Sequence, residues 1–178
     1  NSTNDFTIVN LSARNVADSA NAAGAITYVD ANGFDVSGIS TTSTVDLTGK
    51  GAITDSGTLV GSTLTAKTLL DAGAAITLDS AANDFTTVNL SARNGADSAN
   101  AAGAIAYVDA KGFDVSGVST TSSVDLRGKG GSTYRGPLGG STRKAKTVRE
   151  TGTRSKLEWR GEGYDRANDR GGRGAEYA

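Results

Sequence analysis

The chain has 178 residues and contains no cysteine, no histidine and no methionine, with one proline and one tryptophan. Without cysteine, no disulfide framework can staple the fold. Without histidine as well, the common zinc ligand sets and the usual nucleophile–base pairs are missing, so carboxylates remain as the only acid–base groups. No apolar run approaches 18 residues and the first residues do not resemble a signal sequence, so direct membrane insertion is not expected. The missing initiator methionine suggests a fragment or a processed chain, with any export signal lying upstream. Glutamate is absent up to Gly130, where all 13 acidic residues are aspartate against 7 Lys plus Arg. Aspartate alone fits turns and strand ends, where its short side chain caps backbone amides.

What is present is repetition. Asn4 to Gly51 recur as Asn83 to Gly130, an offset of 79, with 41 of the 48 aligned positions identical. The differences are Ile8/Thr87, Val16/Gly95, Thr27/Ala106, Asn32/Lys111, Ile39/Val118, Thr44/Ser123 and Thr48/Arg127. Residues 52–82 link the two copies. A unit this long holds several turns of a solenoid, whose single turns need only about 20 to 30 residues. A finer motif supports this: Gly24-Ala25-Ile26-Thr27 and Gly51-Ala52-Ile53-Thr54 have variants around Ile76 and Ile105. Their isoleucine spacings of 27, 23 and 29 predict three loosely equal turns per copy, with insertions at corners.

The local pattern is that of strands. Phe6 to Leu11, Ala25 to Val29, Phe34 to Val36, Thr44 to Leu47 and Ile76 to Leu78 are short, β-branched, alternating runs. Asn32-Gly33, Gly49-Lys50-Gly51, Ser56-Gly57, Gly61-Ser62 and Asp71-Ala72-Gly73 punctuate them with turn residues. Ala13 to Ala25 has the propensity for a short helix, but its apolar residues are too small to anchor a helix face. In a stack of parallel strands, Ile, Val, Leu and Phe fill the inside while Thr, Ser, Asn and Asp face water. The end rungs then offer unpaired strand edges through which chains can self-associate.

Charge divides the chain near residue 130: from Gly131 on there are 11 basic and 6 acidic residues. Gly140-Ser141-Thr142-Arg143-Lys144-Ala145-Lys146-Thr147 still lies 79 beyond Gly61 to Thr68, but Leu64 has become Arg143, Leu70 Arg149 and Ile76 Ser155. Inward-facing cations without partners are costly, so residues 131–178 are expected to be a basic, degenerate and poorly ordered tail whose rungs do not close.

The cadence Asn83-Asp84-Phe85-Thr86-Thr87-Val88-Asn89-Leu90 and the segments Gly51 to Leu59 and Ile76 to Phe85 resemble the repeats of large filamentous-haemagglutinin-type bacterial surface adhesins. The resemblance covers residues 4 to 130. It implies an all-β, right-handed parallel β-helix, secreted or displayed on the bacterial cell surface as a stalk or adhesive filament, with host-cell or matrix glycans or proteins as partners. Two features depart from the family: Ala17 to Ala23 lacks its usual alternation, and the tail is unlike it.

Catalysis has little support. An enzyme of the β-helix class would be an Asp-based polysaccharide lyase or hydrolase, using Asp30, Asp35, Asp46, Asp109, Asp114 or Asp125 with Arg14 or Arg93. These residues occur in both copies, whereas an active site is usually built once, so turn-capping or solvated roles are favoured and no catalytic, cofactor or metal residue is assigned. Asp165 and Asp169 beside Gly171 and Gly172 lack the spacing of a calcium loop. Arg170-Gly171-Gly172-Arg173-Gly174 with Trp159 and Tyr164 is a single Arg-Gly box beside an acidic body, so no nucleic-acid partner is expected. Tyr28 with Tyr107, or Phe34 with Phe113, could form a sugar-binding row, but core or corner packing is the favoured role. The expected function is a structural or adhesive repeat module without chemistry. A carbohydrate-active enzyme and a non-functional fragment of a larger repeat protein are the alternatives.

Overall fold

A computed structural model describes residues 4–136, 139–140 and 142–147. In chain order the strands are β1 (Ile8–Ser12), β2 (Ile26–Asp30), β3 (Phe34–Ser40), β4 (Thr44–Gly49), β5 (Ile53–Asp55), β6 (Leu59–Leu69), β7 (Ile76–Leu78), β8 (Asp84–Arg93), β9 (Ile105–Asp109), β10 (Asp114–Ser119), β11 (Ser123–Gly128), β12 (Thr133–Tyr134) and β13 (Thr142–Thr147). Every strand pairing is parallel. The chain coils as a parallel β-solenoid of about six turns, and no helix occurs among the described residues.

The coil has two stacks. One carries β1, β3, β5, β7, β9, β11 and β13; the other carries β2, β4, β6, β8, β10 and β12. They join because β6 starts on the first stack, with Leu59 and Val60 beside Ile39 and Ser40, and continues on the second, with Thr63 to Thr68 beside Thr44 to Gly49. Alternation puts one side chain in two inside, and the parallel register lines these up into columns. Phe34, Ile53, Ile76, Ile105 and Val124 form one in the first stack. Ile26, Val45, Leu64, Val88 and Val115 form its counterpart in the second. Apart from Ile26, which is partly buried, these residues are buried, and they belong to a single continuous core cluster.

The shortest turn is 19 residues, as from Val45 to Leu64 or from Ile105 to Val124. Longer turns arise where a loop is inserted, so that Leu64 to Val88 takes 24 and Ile76 to Ile105 takes 29. This corrects the expected three turns per copy. Ile26 and Ile105 are equivalent in sequence, yet Ile26 lies in the second stack and Ile105 in the first. The same exchange places β1 and its copy β8, or β3 and its copy β10, on opposite stacks. A copy therefore advances the coil by three and a half turns. The isoleucine spacing concealed this because Ile26 to Ile53 covers one and a half short turns, whereas Ile53 to Ile76 and Ile76 to Ile105 each cover a single long one.

Two further expectations meet the structure here. Ala13 to Ala25 forms no helix; an antiparallel bridge between Arg14 and Asn21 closes it as an outward hairpin, and Arg93 and Asn100 do the same in the second copy. The coil also runs past the boundary expected at Gly130. Thr133 and Tyr134 pair with β10, and Thr142 to Thr147 pair with all six residues of β11. The ladder joins main chains, so it closes there although Arg143 takes the register position of Leu64. The remainder of the expected tail lies outside the described residues.

Ile53 is fully buried in the middle of its column, whereas Thr54 faces outward and donates a 2.9 Å hydrogen bond to Asp35. Ile53→Asp would bury an unpaired carboxylate and should lower unfolding stability by on the order of 4 kcal/mol in a denaturant titration. Thr54→Ala, which removes one half-exposed hydrogen bond, should cost about 1 kcal/mol or less. Equal effects would place Ile53 wrongly.

Candidate functional site

The recurring aspartates occupy three different environments. Asp109 is buried at the end of β9, where its Oδ2 accepts the Tyr107 hydroxyl at 2.6 Å and the Phe85 amide at 3.0 Å, and its Oδ1 accepts the Lys111 amide at 2.8 Å. Asp30 repeats the arrangement with Tyr28 at 2.5 Å, Phe6 at 3.1 Å and Asn32 at 2.8 Å. One carboxylate thus closes its own turn, fixes the ring that fills the corner and clamps the chain of the turn before. The rings pack edge-on, Tyr28 on Phe34 at 4.9 Å between centroids and Tyr107 on Phe113 at 5.0 Å. All four aromatics are buried, so they are corner packing and not a row exposed to sugars.

Asp35 and Asp114 are half-buried on the outer side of β3 and β10. Asp35 accepts the hydroxyls of Thr54 at 2.9 Å and Ser56 at 2.5 Å. Asp114 accepts the Thr133 hydroxyl and lies 3.6 Å from the Arg135 guanidinium. Asp46 is exposed, while Asp125 is gripped by Arg127 with contacts of 3.0 and 2.5 Å. Arg127 replaces Thr48 of the first copy, so this pair exists only in the second. A second difference is also accounted for: Asn32 donates to Asp5 at 2.8 Å and its counterpart Lys111 to Asp84 at 2.6 Å, which keeps the same bond between turns.

Arg14 and Arg93 are committed to their hairpins. Arg93 donates to Asp97 Oδ1 at 3.0 Å, to the Asp97 carbonyl at 2.9 Å and to Asn100 Oδ1 at 2.5 Å. Arg14 makes the same three bonds to Asp18 and Asn21. The bonds hold Asp18 and Asp97 at φ of 50° and 54°, a left-handed conformation that aspartate tolerates better than most residues. Lys67 adds a 2.7 Å bond from β6 to Asp97.

The sequence did not single out Asp55 or Asn83. Asn83 is fully buried: it donates to Asp55 at 2.7 Å and accepts the Leu59 amide at 3.0 Å, while Asp55 accepts the Asp79 amide at 3.0 Å. This latch spans two turns. Its first half lies in the linking segment, where repetition could not draw attention to it, because the residue 79 beyond Asp55 is Tyr134.

Electrostatics follow from burial and bonding. Burial pushes the Asp109 carboxyl above its ordinary value, outweighing the bonds from Tyr107, Phe85 and Lys111. Burial raises Asp55 in the same way, against the bonds from Asn83 and Ser80. At Asp30, in the uncovered first turn, burial also raises the pKa, but the bonds from Tyr28, Asn32 and Phe6 together prevail and leave it below its ordinary value. Bonds from Lys67 and Arg93 lower Asp97. Burial, with the hydrogen bond to Asp30, pushes the Tyr28 phenol up to about 12, and burial and the Asp109 charge raise Tyr107 as well. Both phenols are therefore protonated donors at neutral pH.

The six candidate aspartates and two arginines do not converge on one centre: Asp30 and Asp109 are engaged in their corners, Arg14 and Arg93 in their hairpins, Asp35 and Asp114 with the next turn and Asp125 with Arg127, while Asp46 faces solvent. Among the described residues no three metal-binding side chains gather, and no helix is long and apolar enough to cross a membrane. Trp159, Tyr164, Asp165, Asp169 and the Arg170 to Gly174 segment lie outside the described residues.

A family model described as "Repeats of unknown function (DUF5649)" matches residues 23–92. The matched span runs from just before β2 into β8 and so covers the passage from one copy to the next. The chain is a repeat protein built as a β-solenoid. No curated protein and no solved structure matches it.

The opposite shifts of two aspartates give opposite pH slopes. The raised pKa of Asp109 means that its contribution to stability is greatest below the unfolded aspartate value of 3.8 and is lost as pH rises through the higher folded value. Asp97, with its lowered pKa, contributes above 3.8 and loses that contribution as pH falls through the folded value. In thermal melts from pH 3 to pH 7, the midpoint of Asp109→Asn relative to the parent should therefore rise with pH, and that of Asp97→Asn should fall. Slopes of the same sign would refute this electrostatic account.

Proposed function

We infer that the chain is a structural segment of a secreted or cell-surface protein, a stiff rod that holds loops or further domains away from their point of attachment and has no chemistry of its own. The observation that carries this reading is that one core runs without interruption through both copies while their loops are fixed by identical internal bonds. Such a body is extended by adding copies and does not need a second core, because each turn depends only on its neighbours. The committed bonding of the repeated aspartates and arginines favours a structural role over a catalytic one. The resemblance to filamentous adhesin repeats supports a bacterial surface setting, with host-cell or matrix glycans or proteins meeting the outward hairpins at Arg14 to Asn21 and Arg93 to Asn100.

Two measurements test the reading. If a copy is three and a half turns of a rod, chains with added copies should lengthen in small-angle scattering by about 17 Å per copy at unchanged cross-section, from the strand spacing of about 4.8 Å. Growth in all directions would defeat the rod. Incubation with acidic and neutral polysaccharides should yield no new reducing ends and no unsaturated products at any pH. Turnover that disappears in Asp35→Asn or Asp114→Asn would instead establish an Asp-based lyase or hydrolase.

A further inference from the structure

Two of the differences between the copies make or remove an asparagine–glycine pair. Asn32-Gly33 in the first copy becomes Lys111-Gly112 in the second, and Asn15-Val16 becomes Asn94-Gly95, so each copy holds one such pair at a different place. Glycine is what makes the pair reactive, because without a Cβ to hinder it the following amide nitrogen can swing onto the asparagine side chain. The structure surrounds the two pairs differently.

Asn94 is half-buried and held by several bonds. Its Oδ1 accepts the Ser98 amide at 2.8 Å and the Ala99 amide at 3.1 Å, and its Nδ2 donates to the Ser98 hydroxyl at 3.0 Å. The Gly95 amide, which would be the nucleophile, donates to Asp71 at 2.8 Å. Asn32, in contrast, is exposed, and among the described residues its side chain makes one bond, from Nδ2 to Asp5 Oδ1 at 2.8 Å. The Gly33 amide makes no hydrogen bond among the described residues. Nor can this corner dispense with its glycine, since a Cβ on Gly33 would come within 2.6 Å of the Ala52 carbonyl oxygen in the next turn.

We propose that Asn32-Gly33 is a self-modification site at which the folded chain converts Asn32 to aspartate or isoaspartate, while the fold protects Asn94-Gly95. The Gly33 nitrogen attacks Cγ of Asn32; the new N–Cγ bond closes a succinimide, the Cγ–Nδ2 bond breaks, and ammonia leaves with the proton of the Gly33 amide. Water then opens the ring. Cleavage of the N–Cγ bond gives aspartate, and cleavage of the bond between the Asn32 carbonyl carbon and the Gly33 nitrogen gives isoaspartate. Either product puts a carboxylate where an amide had donated to Asp5, so a bond between turns becomes a repulsion between like charges. The second copy has the opposite arrangement, with the Lys111 ammonium 2.6 Å from Asp84. The effect falls on the segment that clamps this corner, in which the Phe6 amide donates to Asp30 at 3.1 Å and the Ala31 amide to the Asn4 carbonyl at 2.7 Å. The proposal does not depend on where the protein is located or on its use as a rod.

Peptide mapping by mass spectrometry, on the full chain incubated at mildly alkaline pH with and without denaturant, tests this. In the folded chain Asn32 should convert about tenfold or more faster than Asn94, because Asn94 and Gly95 must first break bonds that Asn32 and Gly33 do not make. In denaturant the two should convert at similar rates. Asp71→Ala releases the Gly95 amide and should speed conversion of Asn94 in the folded chain while leaving Asn32 unchanged. Amide hydrogen exchange reads the consequence. Asn32→Asp, which is one of the two products, should speed exchange at Phe6 and Ala31 severalfold and leave their counterparts Phe85 and Ala110 as they were; Asn32→Lys, which installs the residue of the second copy, should keep Phe6 and Ala31 protected. Conversion of Asn32 only in denaturant, equal rates at Asn32 and Asn94 in the folded chain, no effect of Asp71→Ala on Asn94, or unaltered exchange in Asn32→Asp would each overturn the proposal.

Discussion

Everything in this fold depends on the parallel main-chain ladder between one turn and the next. Each strand gives its amides and carbonyls to the turns above and below, so no segment is satisfied alone and the cost of an open edge appears only at the ends. The side chains contribute by stacking in register. The column from Phe34 through Ile53, Ile76 and Ile105 to Val124 is a core only because the ladder holds those residues directly over one another. This explains why main-chain pairing outlasts the loss of apolar residues, as at β13, where six residues pair with β11 although the residue in register with Val124 is Arg143.

Corners pose the opposite problem, since there the chain must turn while its polar groups remain inside. The solution is to bury short polar side chains whose every atom has a partner. Asp109 holds three donors, Asn83 joins Leu59 to Asp55, and the buried Thr120 hydroxyl donates to the carbonyls of Ala101 and Gly103. Among the described residues no buried side-chain nitrogen or oxygen lacks a hydrogen bond. An unpaired group at any of these places would cost more than the satisfied one contributes, so the corners act chiefly by excluding other registers.

The strands, the turns and the repeat were legible because alternation and turn chemistry are local properties, and Ile53 and Thr54 fall on the sides that alternation gives them. The pitch was not legible. Isoleucine spacings of similar size cannot distinguish one long turn from one and a half short ones, and only the pairing of Ile26 with Val45 against that of Ile76 with Ile105 separates them. At the candidate site, the repetition of Asp30 and Asp109 suggested structural use, and their bonds show what that use is. Asp55 stayed invisible because its partner Asn83 is 28 residues away and its role depends on a contact across two turns. The seam at Gly130 was drawn on side-chain character, whereas the ladder that continues beyond it is made of backbone.

The half-turn between copies also has a consequence for display. The hairpin closed by Arg14 leaves the first stack for the second, and the one closed by Arg93 leaves the second for the first, so the two project from opposite edges of the coil. An array of such copies carries two rows of hairpins that differ only at Val16 and Gly95, one along each flank, with members of a row about 34 Å apart at the usual strand spacing. A ligand that recognised this hairpin through a single binding head would meet it from either side of the coil. A ligand with two heads would be confined to one flank unless it could reach around the coil.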